Sequence, residues 1–365
     1  MQAFTLMSHL SRMPATEVAA VLMNEGTLAD KLRAGGISVH ITDERELGAM
    51  QILSSLRRLL LSWQPDVIHT HREKENILGC LGNRTCRNVP AIRTVHGGKE
   101  QGAPMTWRSF RHRLVSRVDR WCGRMLQERI IAVTRELAGR LAKDFPAGKI
   151  AVIENGVDLE SLVRERGVPG FRVAEPSAIH VGIAGRLVDV KRVDLFLEAA
   201  ALLLRECPER RWRFHIFGDG PNGPDLQRLA ARLQVDDKVI FHGHRRDIVT
   251  CVAGLDVLVI SSDHEGMPMI SLESVALAVP TVAHAVGGLV EVVPAEFLVS
   301  QHDARGYKAG VLRALGADAR AIAASRGKEV ATRFSAARNA ERVRALYEEV
   351  LAARNRNNTK GNRAD

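Results

Sequence analysis

The sequence predicts an α/β protein built from two Rossmann-like halves. Short apolar runs that suit buried strands alternate with longer segments of helical period, which is the pattern of a parallel sheet covered by helices. At 365 residues the chain is also too long for one ordinary core. A segment of irregular period, RERGVPGFRVAEP at 164–176, separates the two halves. We therefore expect two domains that meet near this segment.

Residues 1–14 resemble the end of a helix, and strands and helices alternate in the rest of the first half. Gly35 and Gly36 mark the end of the first complete helix. The predicted strands are 17–23, 37–42, 66–70, 91–96, 130–133 and 150–154, and the predicted helices are 28–34, 50–63 and 107–127.

The second half repeats the alternation, and glycines follow several of its strands. The predicted strands are 179–184, 212–218, 239–241, 257–260 and 281–283, and the predicted helices are 193–206, 225–233 and a further one that carries Glu273. We expect domains at 1–165 and 166–335, a helix at 336–352 that packs back toward the first domain, and a polar, disordered tail at 353–365.

Composition excludes several classes of protein. No apolar run reaches the 18 or so residues of a spanning helix, and the N-terminus lacks the features of a secretory signal. Five scattered cysteines without a CxxC pair favour reduced thiols in a cytoplasmic protein. The net charge of +10 favours anionic partners, but no nucleic-acid-binding signature accompanies it.

The segment DVLVISSDHEGMPMISLE at 256–273 carries the clearest signal of function. A predicted buried strand is followed by a polar loop that contains Glu265, Gly266 and Pro268. The helix after this loop contains Glu273. In α/β proteins, ligands bind where strand ends open onto helix N-termini. Two carboxylates at this spacing can both face a polyhydroxylated ligand.

These motifs resemble family 4 retaining glycosyltransferases, which have the GT-B fold. The resemblance rests on GIAGRLVDVKRVDLFLEAAALL, FHIFGDGP, VIFHGH and EGMPMISLESVALAVPTVAHAVGG, all in family order in the C-terminal half. PDVIHTHREKENILG, IRTVHG and IENGVDL extend it more loosely to the N-terminal half. It implies two Rossmann-like domains that face each other across a cleft, with the acceptor on the first domain and a nucleotide-sugar donor on the second.

Metal-independent transfer requires positive side chains at the leaving diphosphate. We find no convincing DxD at a strand end and no cluster with metal-ligand spacing. Arg186 follows a strand and Lys191 lies five residues later, so both could reach a diphosphate. The resemblance assigns them the same role. We expect no cofactor and no metal.

The resemblance also implies the other contacts of the donor. The residue at Glu273 accepts hydrogen bonds from the ribose hydroxyls, and that at Glu265 contacts hydroxyls of the transferred sugar. The expected catalytic residues are Glu265, His96, Arg186 and Lys191. The expected donor-binding residues are Gly185, Arg186, Lys191, Gly218, Gly220, His242, Gly243, Glu265, Gly266, Met267, Pro268 and Glu273. A glycosidase with paired carboxylates is disfavoured, because it leaves Arg186 and Lys191 unexplained.

The histidines of the first half divide into two groups. His69 and His71 end one strand, and such residues are more often structural. His96 matches the family's cleft histidine, which contacts the transferred sugar. The loop 70–76, THREKEN, is expected to line the acceptor side of the cleft, and this expectation rests only on its position in the sequence. Its possible acceptor contacts are Arg72, Glu73, Lys74 and Asn76.

The predicted helix at 107–127 is both basic and amphipathic. Trp107, Phe110, Leu114, Val118, Trp121, Cys122 and Met125 fall at helical spacing on one face, and arginines 108, 111, 113, 117, 120 and 124 occupy the rest. This face either packs on the sheet or lies on an anionic membrane. Packing on the sheet is the favoured interpretation.

One departure from the family concerns the N-terminus. Members open with a strand and a glycine-rich loop, whereas this sequence begins within the first helix and has no glycine before Gly26. We expect the first domain to lack its first strand, which would leave an unpaired edge. Ala278 and Val290 replace a usual glycine and a common proline, and we expect both to be tolerated.

The sequence therefore predicts a retaining, metal-independent glycosyltransferase of the hexosyltransferase type (EC 2.4). The expected acceptor is a polysaccharide, lipopolysaccharide or other lipid-linked glycan, and the expected location is cytoplasmic or peripheral on the inner membrane face. Two alternatives remain open. One is a nucleotide-sugar epimerase or phosphorylase of the same fold. The other is a silent nucleotide-sugar-binding subunit, supported by the absent glycine-rich loop.

Overall fold

In the computed structural model the chain divides into two compact units. Unit 1 comprises residues 1–156 and 336–365, and unit 2 comprises residues 157–335. The structure describes residues 2–97 and 107–361, with backbone alone for 107–113 and 357–361. Residues 157–165, which we expected in the first domain, lie in unit 2.

Unit 1 is an α/β unit whose described strands are all parallel. Its strands are β1 (Ala19–Leu22), β2 (Ser38–Ile41), β3 (Ile68–Thr70), β4 (Ala91–Val95), β5 (Arg129–Ala132) and β6 (Ile150–Val152). Its helices are α1 (Gln2–Leu10), α2 (Thr27–Ala34), α3 (Ala49–Trp63), α4 (Glu73–Arg84), α5 (Trp107–Met125), α6 (Arg135–Leu141) and the C-terminal α16 (Ala336–Gly361).

The described strands of unit 1 form two separate sheets. One has the order β1-β2 and the other the order β3-β4-β5-β6. This separation agrees with the prediction of a domain without its first strand. Helices α1 and α16 pack together over the larger sheet, where Leu6, Ile92, Ile131 and Leu346 share one apolar cluster.

The C-terminal helix extends further than we expected. We predicted disorder from residue 353, whereas α16 continues to Gly361. The residues Ala352, Ala353 and Arg354 have high helix propensity, so the helix propagates beyond its packed portion. Residues 362–365 of the predicted tail lie outside the described residues.

Unit 2 is a doubly wound α/β unit. Its strands are β7 (Ile179–Ala184), β8 (Trp212–Phe217), β9 (Val239–Gly243), β10 (Val257–Ile260), β11 (Thr281–His284) and β12 (Leu298–Val299). Its helices are α7 (Leu159–Glu165), α8 (Gly170–Ala174), α9 (Val193–Glu206), α10 (Gly223–Arg232), α11 (Ile248–Ala253), α12 (Met269–Ala276), α13 (Leu289–Val292), α14 (Ala304–Ala314) and α15 (Ala319–Arg333).

The described strands of unit 2 form one parallel sheet in the order β12-β11-β10-β7-β8-β9. The chain order reverses between β7 and β10, which is the switch point where such sheets bind ligands. Val181, Val257 and Leu258 are fully buried, because strands covered by helices on both faces need apolar side chains throughout. Across the described parts of both units, no helix combines the length and apolar character needed to cross a bilayer.

Candidate functional site

The loops after β7, β8 and β9 are joined by backbone hydrogen bonds at the carboxyl edge of the unit 2 sheet. The amide of Gly218 donates to Gly243 at 2.8 Å, and the amide of Leu187 donates to Asp219 at 3.0 Å. Gly218 has φ of +133°, and a Cβ there would lie 1.9 Å from the carbonyl oxygen of Gly185. Only glycine allows the two loops to approach this closely.

Four predicted site residues line one cavity at this edge, namely Gly185, Arg186, Lys191 and Glu265. Lys191 ends a short 3-10 turn, and its ammonium forms an ion pair with Oε1 of Glu265. The same carboxylate oxygen accepts a hydrogen bond from Ser262 Oγ at 2.7 Å. Glu265 is thus held in place rather than exposed as a surface loop residue.

Arg186 differs from Lys191 in its surroundings. It is exposed, and among the residues that the structure describes no carboxylate pairs with it. Lys191 is partly neutralised by Glu265, whereas Arg186 presents its full charge and five donors to the cavity. Of the two cations, Arg186 is therefore the less neutralised.

The loop that carries Glu265 is fixed from several sides. Asp263 forms an ion pair with Arg192, and Oδ1 of Asp263 lies 2.8 Å from Nε2 of His302. His302 stacks on His284, with ring centroids 3.7 Å apart, and burial lowers the pKa of His284. Sequence reasoning missed these supporting residues, because their partners lie far apart in the chain.

Gly266, Met267 and Pro268 lead directly into α12. Gly266 and Met267 are buried, and Pro268 occupies the N-cap position. The carbonyl oxygen of Gly266 accepts a hydrogen bond from the amide of Gly288 at 2.6 Å. The glycine pair after β11 therefore packs against this segment.

The remaining predicted donor residues occupy the same sheet edge or the helix beside it. Glu273 lies on α12 with 8% of its surface exposed, as the apolar neighbours in the sequence indicated. Gly220 packs so tightly that a Cβ would lie 2.2 Å from the carbonyl oxygen of Leu187. His242 and Gly243 end β9, and His242 is half-buried.

In unit 1, the predicted site residue His96 belongs to a cluster of histidines at the ends of β3 and β4. His96 Nε2 lies 3.0 Å from His71 Nδ1, and burial lowers the pKa of His96 to about 4 and that of His71 to about 3. Both rings are therefore neutral near pH 7. His69 bonds to Thr94 and to Tyr347 of α16, as expected for a structural histidine.

The predicted acceptor loop is mostly the start of α4, which begins at Glu73. Asn76 is 1% exposed and donates to Asp119 at 2.8 Å, so the prediction that it contacts the acceptor is wrong. Asp119 is in turn held by Arg93, with two bonds of 2.9 Å. A buried amide satisfied on several sides serves the fold.

The predicted apolar face of α5 does not all pack inward. Cys122 is buried, but Leu114, Trp121 and Met125 are 56%, 51% and 65% exposed. The prediction that this whole face packs on the sheet was therefore wrong for these residues. Val118 is partly buried against the cluster that contains Cys122, and the side chains of Trp107 and Phe110 lie outside the described residues.

Trp121 and Met125 belong to a basic surface. They line a shallow groove together with Arg117, Arg120 and Arg124. We call these five residues the α5 patch.

Family models and solved structures show which class of protein this chain resembles. The family model for glycosyl transferases group 1 matches residues 178–317, and the model for glycosyltransferase family 4 matches residues 3–161. The crystal structure of Anabaena Alr3699/HepE in complex with UDP-glucose superposes with a TM-score of 0.79. It is 19% identical and covers 96% of each chain, so the protein has the GT-B glycosyltransferase fold.

Curated relatives are similar over most of the chain. A D-inositol 3-phosphate glycosyltransferase of Saccharomonospora viridis is 28% identical over 96% of this chain and 85% of its own. A UDP-Gal:alpha-D-GlcNAc-diphosphoundecaprenol alpha-1,3-galactosyltransferase of Escherichia coli is 27% identical over 74% of this chain and 70% of its own. The chain belongs to the glycosyltransferases described by the family 4 and group 1 models, and it is a glycosyltransferase.

Proposed function

We propose that the protein transfers a sugar, with retention of anomeric configuration and without a metal, from a nucleotide-diphosphate sugar to a glycan or lipid-linked acceptor. The observation that carries this proposal is the shared cavity of Arg186, Lys191 and Glu265 at the switch point of the unit 2 sheet. UDP-galactose in the name of the E. coli relative and UDP-glucose in the HepE complex support a uridine nucleotide as the first donor to test.

The two cations supply what the leaving group requires. Negative charge grows on the diphosphate as the bond from the sugar C1 to oxygen breaks, and fixed positive groups stabilise that charge. Arg186 can bind two phosphate oxygens at once, and Lys191 can add a point charge. These two cations are the proposed source of positive charge at the diphosphate.

Glu265 is suited to orienting the sugar. Its Oε1 already accepts from Lys191 and Ser262, which leaves Oε2 for a sugar hydroxyl. This arrangement favours front-face retention over a protein nucleophile. The acceptor oxygen bonds to C1 on the face that the diphosphate leaves, and the acceptor proton passes to a diphosphate oxygen.

His96 is the proposed contact from unit 1. Burial keeps its ring neutral near pH 7, so it can exchange a hydrogen bond with a sugar hydroxyl without adding charge. The proposed role requires no proton transfer through His96.

The α5 patch supports peripheral binding to an anionic membrane, where a lipid-linked acceptor would be found. An exposed tryptophan and methionine beside three arginines combine apolar insertion with attraction to anionic lipid. The net charge of +10 adds a favourable long-range field. The patch would hold the protein at the bilayer surface.

A donor screen tests the proposal. Thermal shifts are measured with UDP-, GDP- and ADP-sugars, each with and without EDTA. We expect one donor to stabilise the protein equally in both conditions, and Arg186→Ala or Glu273→Ala to abolish the shift. Arg228→Ala is the matched control, because Arg228 is 70% exposed and pairs with Asp225 on α10.

Two results of this screen would contradict the proposal. Stabilisation that EDTA removes would indicate a metal-dependent site, and unchanged shifts in both variants would remove Arg186 and Glu273 from the site. Consumption of the donor without any acceptor would favour an epimerase of the same fold.

A further inference from the structure

A chain of three histidines crosses the unit 2 sheet and ends at its carboxyl edge. His180 lies on β7, His215 on β8 and His242 on β9. His180 Nδ1 is 2.9 Å from His215 Nε2, and His215 Nδ1 is 2.9 Å from His242 Nε2. At the opposite end, His180 Nε2 is 2.9 Å from the carbonyl oxygen of Glu175.

This geometry permits one arrangement of protons when the three rings are neutral. A carbonyl oxygen only accepts, so His180 carries its proton on Nε2 and its Nδ1 must accept from His215. His215 then accepts at Nδ1 from Nε2–H of His242. Nδ1 of His242 is therefore left as a bare acceptor.

The surroundings keep the rings neutral. His180 and His215 are 1% and 0% exposed, and burial lowers the pKa of His215 to about 3. Phe171 of α8 covers the chain, with its ring centroid 4.2 Å from that of His215. Phe217 stacks on His242 at 4.6 Å.

Charged groups on the neighbouring elements do not favour protonation on balance. Arg172 of α8 and Arg213 of β8 oppose protonation of His215. Arg245 opposes protonation of His242 and Asp247 favours it, but burial is the largest influence and lowers the pKa of His242. Glu175 and Asp256 favour protonation of His180, and burial again outweighs them.

The bare acceptor lies at the nucleotide edge of the sheet. His242 directly precedes Gly243, whose carbonyl oxygen accepts from Gly218, and the next amide, of His244, donates to Asp219 at 2.8 Å. Within the described part of the chain, no group donates to Nδ1 of the half-buried His242. A ligand at this edge is the natural donor.

We propose that His242 is a specificity-determining residue whose Nδ1 accepts a hydrogen bond from the imino N–H of the donor base, and that His180 and His215 are positioning residues that fix its tautomer. This inference rests on the proposed function, because it concerns the nucleotide of the same site. Uracil carries a hydrogen on N3, whereas N3 of cytosine is an acceptor and would oppose the lone pair of His242. The site therefore selects uridine over cytidine nucleotides.

The test compares calorimetric dissociation constants for UDP and CDP on the full chain. We expect the parent protein to bind UDP roughly ten-fold more tightly than CDP or better, since an unsatisfied acceptor pair costs about 1–3 kcal/mol. His242→Gln keeps a donor toward His215 but has no acceptor at the position of Nδ1, so the ratio should fall to within about three-fold. His242→Asn places an oxygen near the position of Nδ1 and should retain most of the preference.

A second readout addresses the positioning residues. ¹⁵N spectra of the parent should show His242 protonated on Nε2 alone. His215→Phe fills the space between Phe171 and Phe217 without hydrogen bonds, so both tautomers of His242 should be populated and the UDP preference should weaken. Loss of folding in this variant would leave the paired variants at His242 as the test.

Three outcomes would overturn the proposal. One is an unchanged UDP preference in His242→Gln, and another is a proton on Nδ1 of His242 in the parent. The third is equal binding of UDP and CDP by the parent. Failure of the parent to bind any nucleotide would overturn the proposed function itself, whereas a failure confined to the UDP preference leaves that function intact.

Discussion

At the scale of single residues, the site depends on how its charges are shared. Lys191 is paired with Glu265, and Arg186 is exposed without a described carboxylate partner. In the proposed function, this ion pair would orient Lys191 toward the diphosphate and Glu265 toward the sugar. Binding of the leaving group and binding of the sugar would then be coupled through the pair.

Glu265→Gln should separate these two roles. The amide keeps a hydrogen-bonding group near Ser262 but removes the charge, so Lys191 becomes a free cation. We expect affinity for free UDP to rise two- to ten-fold while the sugar-transfer rate falls about 10²-fold. Calorimetry and steady-state kinetics measure the two effects.

A matched control is Glu206→Gln, because Glu206 also pairs with a lysine, Lys308, but outside the cavity. It should leave both quantities within two-fold of the parent values. If Glu265→Gln weakened UDP binding, the sharing of charge described above would be wrong.

At the scale of elements, periodicity located most strands and helices. The predicted strand at 179–184 and helix at 193–206 coincide with β7 (Ile179–Ala184) and α9 (Val193–Glu206). The segment at 164–176 was interpreted as a linker, yet it contains α8, whose Phe171 covers the histidine chain. A five-residue helix held by tertiary contacts carries too little periodicity to be predicted.

Helix α5 shows a second limit of prediction from periodicity. Its spacing predicted one apolar face, but periodicity does not tell which part of a face meets the sheet and which meets solvent. Likewise, the strand-end positions of Arg186, Lys191 and Glu265 were evident from the sequence. The supports from His284 and His302 were not, because they depend on contacts between distant segments.

The α5 patch gives a prediction for membrane binding. Trp121→Ser combined with Met125→Ser should weaken binding to vesicles with 30% phosphatidylglycerol by at least about five-fold, because the apolar anchors are lost. Sedimentation with vesicles measures it, and pure phosphatidylcholine should bind little. Val173→Ser is the control, since Val173 is 68% exposed on α8 and lies outside the patch. Equal loss in the control, or none in the double variant, would contradict a specific membrane surface.

At the scale of the whole molecule, buried neutral histidines link stability to pH. Burial lowers the pKa of His71 and His215 to about 3 and that of His96 to about 4. In the unfolded chain each titrates near 6.5. Between these values the unfolded state binds more protons than the native state, so stability falls as pH falls.

We expect the free energy of unfolding to decrease steadily from pH 7 to pH 4, by at most about 1.4 kcal/mol per pH unit for each such histidine. Urea denaturation across this range measures it in each unit. His215→Phe should reduce the pH dependence of the unfolding free energy of unit 2 by the contribution of about one proton. The pH dependence for unit 1 should not change. Stability that is flat or rises on acidification would contradict neutral burial of these rings.

We propose that Arg186 and Lys191 hold the leaving diphosphate without a metal. The ratio of the dissociation constants of UMP and UDP in EDTA tests this role, because the two nucleotides differ only in the terminal phosphate. We expect the parent protein to bind UDP about 10²-fold more tightly than UMP, and we expect Arg186→Ala with Lys191→Ala to lower this ratio to a few-fold while UMP binding changes little. A ratio that survives in the double variant, or one that EDTA alone removes from the parent, would contradict it.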